Sequence, residues 1–292
     1  MGSEQNIVII GGMACGPKTA ARARRRDPKA RITMVEQGPT VSEGTCGVPY
    51  YVGGRIQNER ALLIRTPQQF QEASNIEVMN WTRATRIDRG ARRVELTSQA
   101  SAITSLQYDK LVIATGAVPF IPDGLAGTSL QGVFTLTKLA DANRIISKLT
   151  SNGARKAVIV GGGLIGMEAA EAFIDRGLDV SVVEMMPHVL PGLLDDDLSP
   201  VVEQELTRKG VRLLTGQRVL SLEGDAQGRI RNVITDKDDI DADMVLLALG
   251  FRPNSSLARE AGLAIDPLGG IDVDEFLRTA DTDIYAGGDC VT

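Results

Sequence analysis

The sequence predicts an α/β protein in which two domains share one plan, and three observations lead to this prediction. An apolar run, a glycine-rich turn, a helical stretch and a second apolar run ending in Glu36 follow one another near the start of the chain. The same order returns at residues 156–184 and ends in Glu184. Strands that alternate with helices pair in parallel through right-handed crossovers. We therefore expect two Rossmann-like domains, each with a three-layer sheet architecture suited to a dinucleotide.

Each element of the first unit has a local signal. Residues 6–10 are rich in Ile and Val and predict a buried strand. Residues 18–26 are rich in Ala and Arg and predict a helix, which Asp27-Pro28 ends. Residues 31–36 predict the second strand, with Gly38-Pro39 as its stop.

The same local patterns predict the strands and helices of the second unit and of the connecting segments. Residues 156–160 and 179–184 predict strands, and residues 167–176 predict a helix with Gly177 at its C-terminal end. Further strands are predicted at residues 77–80, 92–97, 108–117 and 243–249, and an amphipathic helix at residues 136–149.

Composition narrows the function classes. A chain of 292 residues suits two domains, and its net charge of −5 argues against a dedicated nucleic-acid-binding protein. No apolar run is long enough to span a bilayer and no signal peptide is recognisable, so we expect a cytoplasmic protein. Three cysteines and the single His188 make neither a disulfide framework nor a metal site.

The two glycine loops carry the chemistry of the prediction. Glycine lets the strand turn tightly into the helix, whose free N–H groups then face a pyrophosphate. The acid at the end of the second strand accepts hydrogen bonds from a ribose hydroxyl. The second loop, Gly161 to Gly166, matches GxGxxG in full, whereas Met13 replaces the middle glycine of the first. The alternative is a parallel sheet whose glycine-rich turns bind no nucleotide.

A lone cysteine follows the first unit, in Ser-Glu-Gly-Thr-Cys-Gly-Val-Pro-Tyr-Tyr at residues 42–51. Glycines on either side of Thr45 and Cys46 suit a close approach or a helix start. A thiolate is the reactive form of cysteine in disulfide chemistry. The pattern thus favours a redox thiol, and the alternative is a buried structural cysteine.

The order of these motifs resembles that of the pyridine nucleotide–disulfide oxidoreductases over essentially the whole chain. The resemblance implies an FAD-binding domain at residues 1–117 and 251–292 and an NAD(H)-binding domain at residues 118–250. Family members continue into a C-terminal dimerisation domain and form homodimers, so that domain is expected to be absent from this sequence. The FAD-binding positions implied are Gly11, Gly12, Met13, Ala14, Gly16, Glu36, Gln37, Ser42, Ala114, Thr115, Gly116, Gly288 and Asp289. The NAD-binding positions implied are Gly161, Gly163, Leu164, Ile165, Gly166, Glu168, Glu184 and Gly250.

Cys46 refines the resemblance. Residue 41 is Val and residue 51 is Tyr, so the CxxxxC pair of glutathione-reductase-type enzymes is missing. The segment resembles the single-cysteine subgroup of coenzyme A-disulfide reductases, NADH-dependent persulfide reductases, NADH oxidases and NADH peroxidases. Peroxidases and many water-forming oxidases carry a histidine where this chain has Ala14. The resemblance is therefore to the coenzyme A-disulfide and persulfide reductases, with Cys46 as the catalytic thiol.

The function implied is transfer of hydride from NADH through FAD to a sulfur acceptor linked to Cys46. The expected partners are small molecules, namely a coenzyme A disulfide, a persulfide or a polysulfide, with no nucleic acid and no membrane. Arg22, Arg25 and Thr45 are implied substrate contacts, although a solvated basic helix end explains the two arginines equally well. Glu184 favours NADH over NADPH. The alternatives are an NADH oxidase that uses dioxygen and an electron-transfer reductase with a protein partner.

Overall fold

The computed structural model describes residues 4–99, 103–151 and 153–292, which form two compact units. The first unit comprises Met1–Glu43, Leu63–Val118 and Phe251–Thr292. The second comprises Gly44–Leu62 and Pro119–Gly250. The chain therefore leaves the first unit twice and returns to it twice.

The regular elements are numbered along the chain. The strands are β1 (Asn6–Ile10), β2 (Arg31–Val35), β3 (Ile76–Met79), β4 (Thr82–Asp88), β5 (Arg93–Ser98), β6 (Ile103–Gln107), β7 (Lys110–Ile113), β8 (Ala117–Pro119), β9 (Val133–Phe134), β10 (Lys156–Val160), β11 (Asp179–Glu184), β12 (Arg212–Thr215), β13 (Val219–Gly224), β14 (Ile230–Thr235), β15 (Asp239–Asp241), β16 (Met244–Leu247), β17 (Phe251–Pro253) and β18 (Ile284–Ala286). The α-helices are α1 (Cys15–Arg26), α2 (Val48–Gly53), α3 (Pro67–Ser74), α4 (Leu139–Ser151), α5 (Leu164–Asp175), α6 (Ser199–Arg208) and α7 (Ser256–Glu260). Short 3-10 turns occupy Thr45–Gly47 and Glu59–Leu62. Within the described residues, no helix has the length and apolar character needed to cross a bilayer.

The first unit is built on a parallel sheet with strand order β18-β7-β1-β2-β3. One face of the sheet packs on α1 and α3 through Ile9, Met34 and Phe70. The other face packs on the antiparallel sheet β4-β5-β6, where Val94 and Leu96 are fully buried. The central strands are apolar on both faces because both faces are covered. The result is three layers.

The second unit repeats this plan. Its parallel sheet has strand order β12-β11-β10-β16-β9. One face packs on the antiparallel sheet β13-β14-β15 through Leu222 and Val233. The helix α5 buries Ala169, Ala170 and Phe173. The predicted α/β fold with two Rossmann-like domains, the second inserted into the first, is thereby confirmed.

The predicted elements occur in the structure, with shifted boundaries. The helices predicted at residues 18–26 and 167–176 begin three residues earlier, at Cys15 and Leu164, so each starts inside its glycine loop. Gly177 follows Arg176, the C-cap of α5, and adopts a positive φ of 77°, as a C-terminal glycine does. The strand predicted at residues 108–117 is wrong in its length, because regular pairing of β7 ends at Ile113 and β8 is separate.

The division of the chain differs from the predicted boundaries in one segment. The prediction places residues 44–62 in the first domain, whereas the structure groups Gly44–Leu62 with the second unit. The reason is side-chain contact, since Arg55 pairs with Asp175 and Glu171 of α5 and Tyr51 donates to Asn143 of α4. Neither partner is close in sequence, so local patterns carry no sign of this packing.

Gly161 provides a test of the loop geometry. Its φ is +107°, and a Cβ there would lie 2.3 Å from the carbonyl oxygen of Ala248. Gly163 has a φ of −76° and no atom within 4 Å of its Cβ position. We expect Gly161→Ala to lower the free energy of unfolding by about 2 kcal/mol. The positive φ would strain the alanine backbone, and the new Cβ would also overlap the carbonyl oxygen of Ala248.

Denaturant unfolding of the protein without added nucleotide measures this effect. Gly163→Ala is the matched control and should leave the unfolding free energy within about 0.5 kcal/mol of its original value. Equal stability of the two variants would contradict the loop geometry.

Candidate active site

The first glycine loop lies at the carboxyl edge of the first parallel sheet. Gly11 follows β1, donates from its N–H to the carbonyl of Val35 at 2.8 Å and has a φ of +114°. A Cβ at Gly11 would lie 2.0 Å from the carbonyl oxygen of Ala114. Glycine is thus required here both by conformation and by the close approach of β7.

Glu36 closes this loop. Its Oε2 accepts from the N–H of Gly12 at 2.8 Å, and its Oε1 accepts from the N–H of Gly38 at 2.8 Å. The side chain is buried, with 4% of its surface exposed. A buried carboxylate with backbone donors on both oxygens fixes the loop relative to the end of β2. Each oxygen keeps a second lone pair, which can accept from a ribose hydroxyl.

The loop leads directly into α1, whose N-terminus is open to an anion. Ala14 precedes the helix and provides no side-chain cap, and the first turn contains no acidic residue. The first N–H groups of a helix lack intrahelical partners and carry partial positive charge. The loop and the helix start together can hold a diphosphate.

Two returning segments border the same edge. Thr115 donates from Oγ1 to the carbonyl of Asn254 at 2.6 Å, and the N–H of Asn254 donates to the carbonyl of Gly116 at 2.8 Å. At the other side, Gly288 has a φ of +79° and lies against the Cβ of Cys15. Asp289 is exposed next to it. Asn254 was not among the predicted site residues, although it lies five residues after the strand predicted at residues 243–249.

The structure therefore brings most of the first predicted set to one edge. Gly12 also contacts Ser42, whose N–H donates to the Gly12 carbonyl at 2.7 Å and whose φ is +55°. Met13 and Ala14 lie in the loop, Gly16 is buried at the start of α1, and Gln37 is exposed after β2. Arg22 and Arg25 lie farther along α1 with exposed side chains and have no ion pair among the described residues. Arg24, by contrast, donates to the carbonyls of Ser74, Asn75 and Pro28.

The second loop repeats these bonds almost atom for atom. Gly161 donates to the carbonyl of Val183 at 2.8 Å, as Gly11 does to Val35. The Oε2 atom of Glu184 accepts from Gly162 at 2.6 Å, and its Oε1 atom accepts from Met186 at 2.7 Å. Glu184 is 8% exposed. The sequence predicted the ribose-facing role of these acids but not their role in closing the loops.

The remaining residues of the second set surround the start of α5. Gly163 is its N-cap, and the first turn again lacks an acid. Leu164 is 58% exposed, while Ile165 is half-buried and Gly166 is buried. Glu168 is exposed one turn into the helix, and Gly250 is exposed after β16. This loop can therefore hold a second diphosphate.

Cys46 lies in the 3-10 turn Thr45–Gly47, which leads directly into α2. Cys46 and Thr45 are both exposed. Gly47 makes room for a neighbouring side chain, because a Cβ there would lie 2.4 Å from the Cδ2 of Leu62. The glycine after the thiol therefore allows the helix start that the sequence suggested.

The other two cysteines are shielded. Cys290 is fully buried, and its Sγ donates to the carbonyls of Gly287 and Ile113 at 3.3 and 3.4 Å. Cys15 is half-buried, and burial raises the pKa of its thiol, although a hydrogen bond with Thr19 opposes this. Cys46 is thus the exposed thiol of the described chain.

His188 lies beside a carboxylate of α6. The Nδ1 atom of His188 lies 3.2 Å from the Oε1 of Glu203, which also accepts from the N–H of Val189. This arrangement joins the loop after β11 to α6. Among residues 4–99, 103–151 and 153–292, no group of three or more His, Cys, Asp or Glu side chains is arranged to hold a metal ion.

Comparison with known proteins identifies the family. The family model described as pyridine nucleotide-disulphide oxidoreductase matches residues 5–292, and the chain belongs to this family. An NADH oxidase from Methanocaldococcus jannaschii is 34% identical over 284 residues, covering 97% of this chain and 62% of that protein. A CoA-dependent NAD(P)H sulfur oxidoreductase from Pyrococcus abyssi is 34% identical over 286 residues, covering 98% and 62%.

A solved structure gives the same result. The NAD-dependent persulfide reductase from A. fulgidus superimposes with a TM-score of 0.94 at 44% identity. The match covers 98% of this chain and 53% of that one. The chain spans 62% of the length of each of these two curated relatives.

The three cysteine environments predict an order of chemical reactivity. Brief treatment of the native protein with iodoacetamide at neutral pH should label Cys46 first, because its side chain is exposed. Cys15 should react more slowly, since its raised pKa lowers the fraction of thiolate. Cys290 should react only after unfolding.

Peptide mapping by mass spectrometry at several times measures the order. Labelling of all three thiols in denaturant is the control for intrinsic reactivity. Native labelling of Cys290 before Cys46 would contradict the burial described here.

Proposed function

We propose that this chain is the nucleotide-binding part of an FAD-dependent oxidoreductase that uses NADH to reduce a sulfur acceptor through Cys46. The acceptor class is a coenzyme A disulfide, a persulfide or a polysulfide. The observation that carries the proposal is one exposed thiol, in a chain whose other two are shielded, within a family named for disulfide reduction. The names of the relatives, which combine NADH or NAD(P)H with sulfur, persulfide or coenzyme A, support the same chemistry.

The first unit is the proposed FAD-binding domain. Cβ atoms at Gly11 and Gly12 would collide with neighbouring atoms, so the tight turn after β1 needs glycine at both positions. This turn is proposed to hold the diphosphate. Glu36 offers its remaining lone pairs to the ribose, and the start of α1 faces the phosphates. Thr115, Gly116 and Asp289 border the same edge and are proposed to complete the site.

The second unit is the proposed NADH-binding domain. The loop Gly161–Gly166 and the start of α5 are proposed to hold the pyrophosphate, and Glu184 the adenosine ribose. When bound, FAD supplies the electron transfer that joins NADH oxidation to sulfur reduction. Leu164 and Glu168 are exposed on the first turns of α5 and are proposed to border the nicotinamide.

Cys46 is the proposed nucleophile. Its thiolate attacks one sulfur of the acceptor disulfide, which forms a Cys46–sulfur bond and releases the other half of the acceptor as a thiolate. Two electrons and a proton then cleave this mixed disulfide, which regenerates Cys46 and releases the second thiol. Thr45 is exposed beside Cys46 and is a proposed contact for the acceptor. The exposed Arg22 and Arg25 of α1 stay a prediction from the sequence.

Cys46→Ser tests the proposed thiol step. A serine hydroxyl cannot form the mixed disulfide, so reduction of coenzyme A disulfide should fall by at least about a thousandfold. Flavin reduction by NADH should continue at its original rate, because that step does not use the thiol. Stopped-flow absorbance of the flavin measures the two half-reactions separately.

The flavin half-reaction in the same variant is the control for intact folding and cofactor binding. Unchanged disulfide reduction in Cys46→Ser would remove Cys46 from the mechanism. NADH consumption driven by dioxygen alone, and unaffected by coenzyme A disulfide, would instead favour the oxidase alternative.

Glu184 predicts the choice of nucleotide. Its carboxylate accepts from a ribose hydroxyl but repels a 2′-phosphate, and the exposed Met185 beside it offers no positive charge. The double change Glu184→Ala with Met185→Arg should move the ratio of kcat/KM values toward NADPH by at least about tenfold. Steady-state kinetics with both nucleotides measures the ratio.

Leu220→Arg is the matched control, because it adds the same charge to an exposed apolar position of β13. It should leave the ratio unchanged. A double variant that still prefers NADH to the original degree would exclude Glu184 as the discriminating residue.

A further inference from the structure

The segment that carries Cys46 is fastened to α5 by an arginine with two carboxylate partners. Arg55 donates from Nε to the Oδ2 of Asp175 at 2.7 Å and from Nη2 to the Oε1 of Glu171 at 2.8 Å. Asp175 and Glu171 lie one turn apart on α5, so the planar guanidinium spans both. An ammonium group could not hold both partners in this fork geometry.

A second arginine fastens α2 from the opposite direction. Arg176, at the end of α5, donates from Nε to the carbonyl of Val52, in the last turn of α2. Gly54 ends α2 in a left-handed conformation, with a φ of +87°, and its Cβ position would lie 3.2 Å from the guanidinium carbon of Arg176. The arginine thus satisfies a carbonyl that the short helix leaves without a partner.

The backbones of the two helices also meet closely. A Cβ at Gly53 would lie 3.2 Å from the Cα of Ala172. Val48 and Val52 are buried on the same short helix. The hydrogen bonds of Arg55 and Arg176 therefore fix the orientation of two helices that already pack closely. As a result, α2 has little freedom to slide along α5.

The turn that holds Cys46 is continuous with α2. Gly47 is the N-cap of α2, and the N–H of Val48 donates to the carbonyl of Thr45. At its start, Gly44 donates to the carbonyl of Leu62, which closes the segment on itself. Any displacement of α2 consequently moves Cys46.

The far end of α5 carries the second glycine loop, with Gly163 as its N-cap. The helix has 12 residues, so its length is about 18 Å. One rigid element thus presents the proposed NADH loop at its N-terminus and holds the Cys46 segment along its C-terminal half.

We propose that Arg55 and Arg176 are positioning residues for the Cys46 thiol, which they hold in register with the helix that starts at the NADH loop. This inference rests on the proposed function only in taking Cys46 as the nucleophile. Neither arginine touches the sulfur, so each acts through α2. Surface ion pairs stabilise folded proteins little, and half of the Arg55 side chain is exposed. The bridges therefore matter here for geometry.

The test compares the two half-reactions of the flavin-bound protein. In Arg55→Ala, oxidation of the NADH-reduced protein by coenzyme A disulfide should slow about tenfold, because small displacements of a reacting group are costly. Flavin reduction by NADH should keep its original rate. Arg55→Lys should recover part of the loss, and Arg176→Ala should show the same selective defect.

Arg208→Ala is the matched control, because Arg208 also makes two hydrogen bonds to a carboxylate, that of Glu205, on the exposed surface of α6. It should change neither half-reaction. An equal slowing of both half-reactions in Arg55→Ala, or a loss seen equally in Arg208→Ala, would show a general structural role and overturn the inference.

The result also separates this inference from the proposed function. If Cys46→Ser abolishes disulfide reduction while both arginine variants retain the original rates, the proposed function stands and the positioning role is wrong. If Cys46→Ser retains disulfide reduction, the proposed function fails and the positioning of Cys46 has no consequence for the reaction.

Discussion

A buried carboxylate that holds a glycine loop closed is the interaction on which both units depend. Glu36 and Glu184 each accept two hydrogen bonds from backbone N–H groups. One donor lies in the glycine loop, and the other is the residue two positions after the glutamate itself. Hydrogen bonds to a charged group contribute about 1.5–3 kcal/mol each. Without them, the N–H groups of Gly12 and Gly162 would be buried without these partners. These bonds fix where each loop turns, and so they fix where α1 and α5 begin.

The fold also decides which thiol can react. Cys15 is next to a phosphate-type loop, but it packs against Gly288, and burial raises its pKa. The thiol of Cys290 donates hydrogen bonds to backbone carbonyls of the first unit. Cys46 alone of the three is exposed, at a turn that leads into a helix. Residue type therefore says little about reactivity until the surroundings of each sulfur are known.

Much of this arrangement follows from local sequence patterns. The strands at residues 6–10 and 156–160, the loops and the acids were predictable because glycine spacing and apolar runs are short-range signals. Asn254 escaped prediction because its partners, Thr115 and Gly116, are 139 and 138 positions away. The attachment of residues 44–62 escaped for the same reason, since Arg55 meets Glu171 and Asp175 more than a hundred positions later. Ion pairs between residues so far apart in sequence form only in the folded chain, so the hydrophobic periodicity of the sequence does not predict them.

Glu184 closes the second glycine loop and is also the proposed ribose-binding residue. Its first lone pairs close the loop through Gly162 and Met186, and only the remaining ones are open to a ribose hydroxyl. A 2′-phosphate brings acceptors and negative charge to the same place, so it finds no donor there. Replacing the carboxylate removes the repulsion but also frees two backbone N–H groups. Under the proposed function, discrimination between the nucleotides and integrity of the loop would therefore depend on the same atoms. The loop that Glu184 closes sets the start of α5. A substitution of Glu184 made to alter nucleotide choice would therefore also disturb the start of the helix that contacts the Cys46 segment.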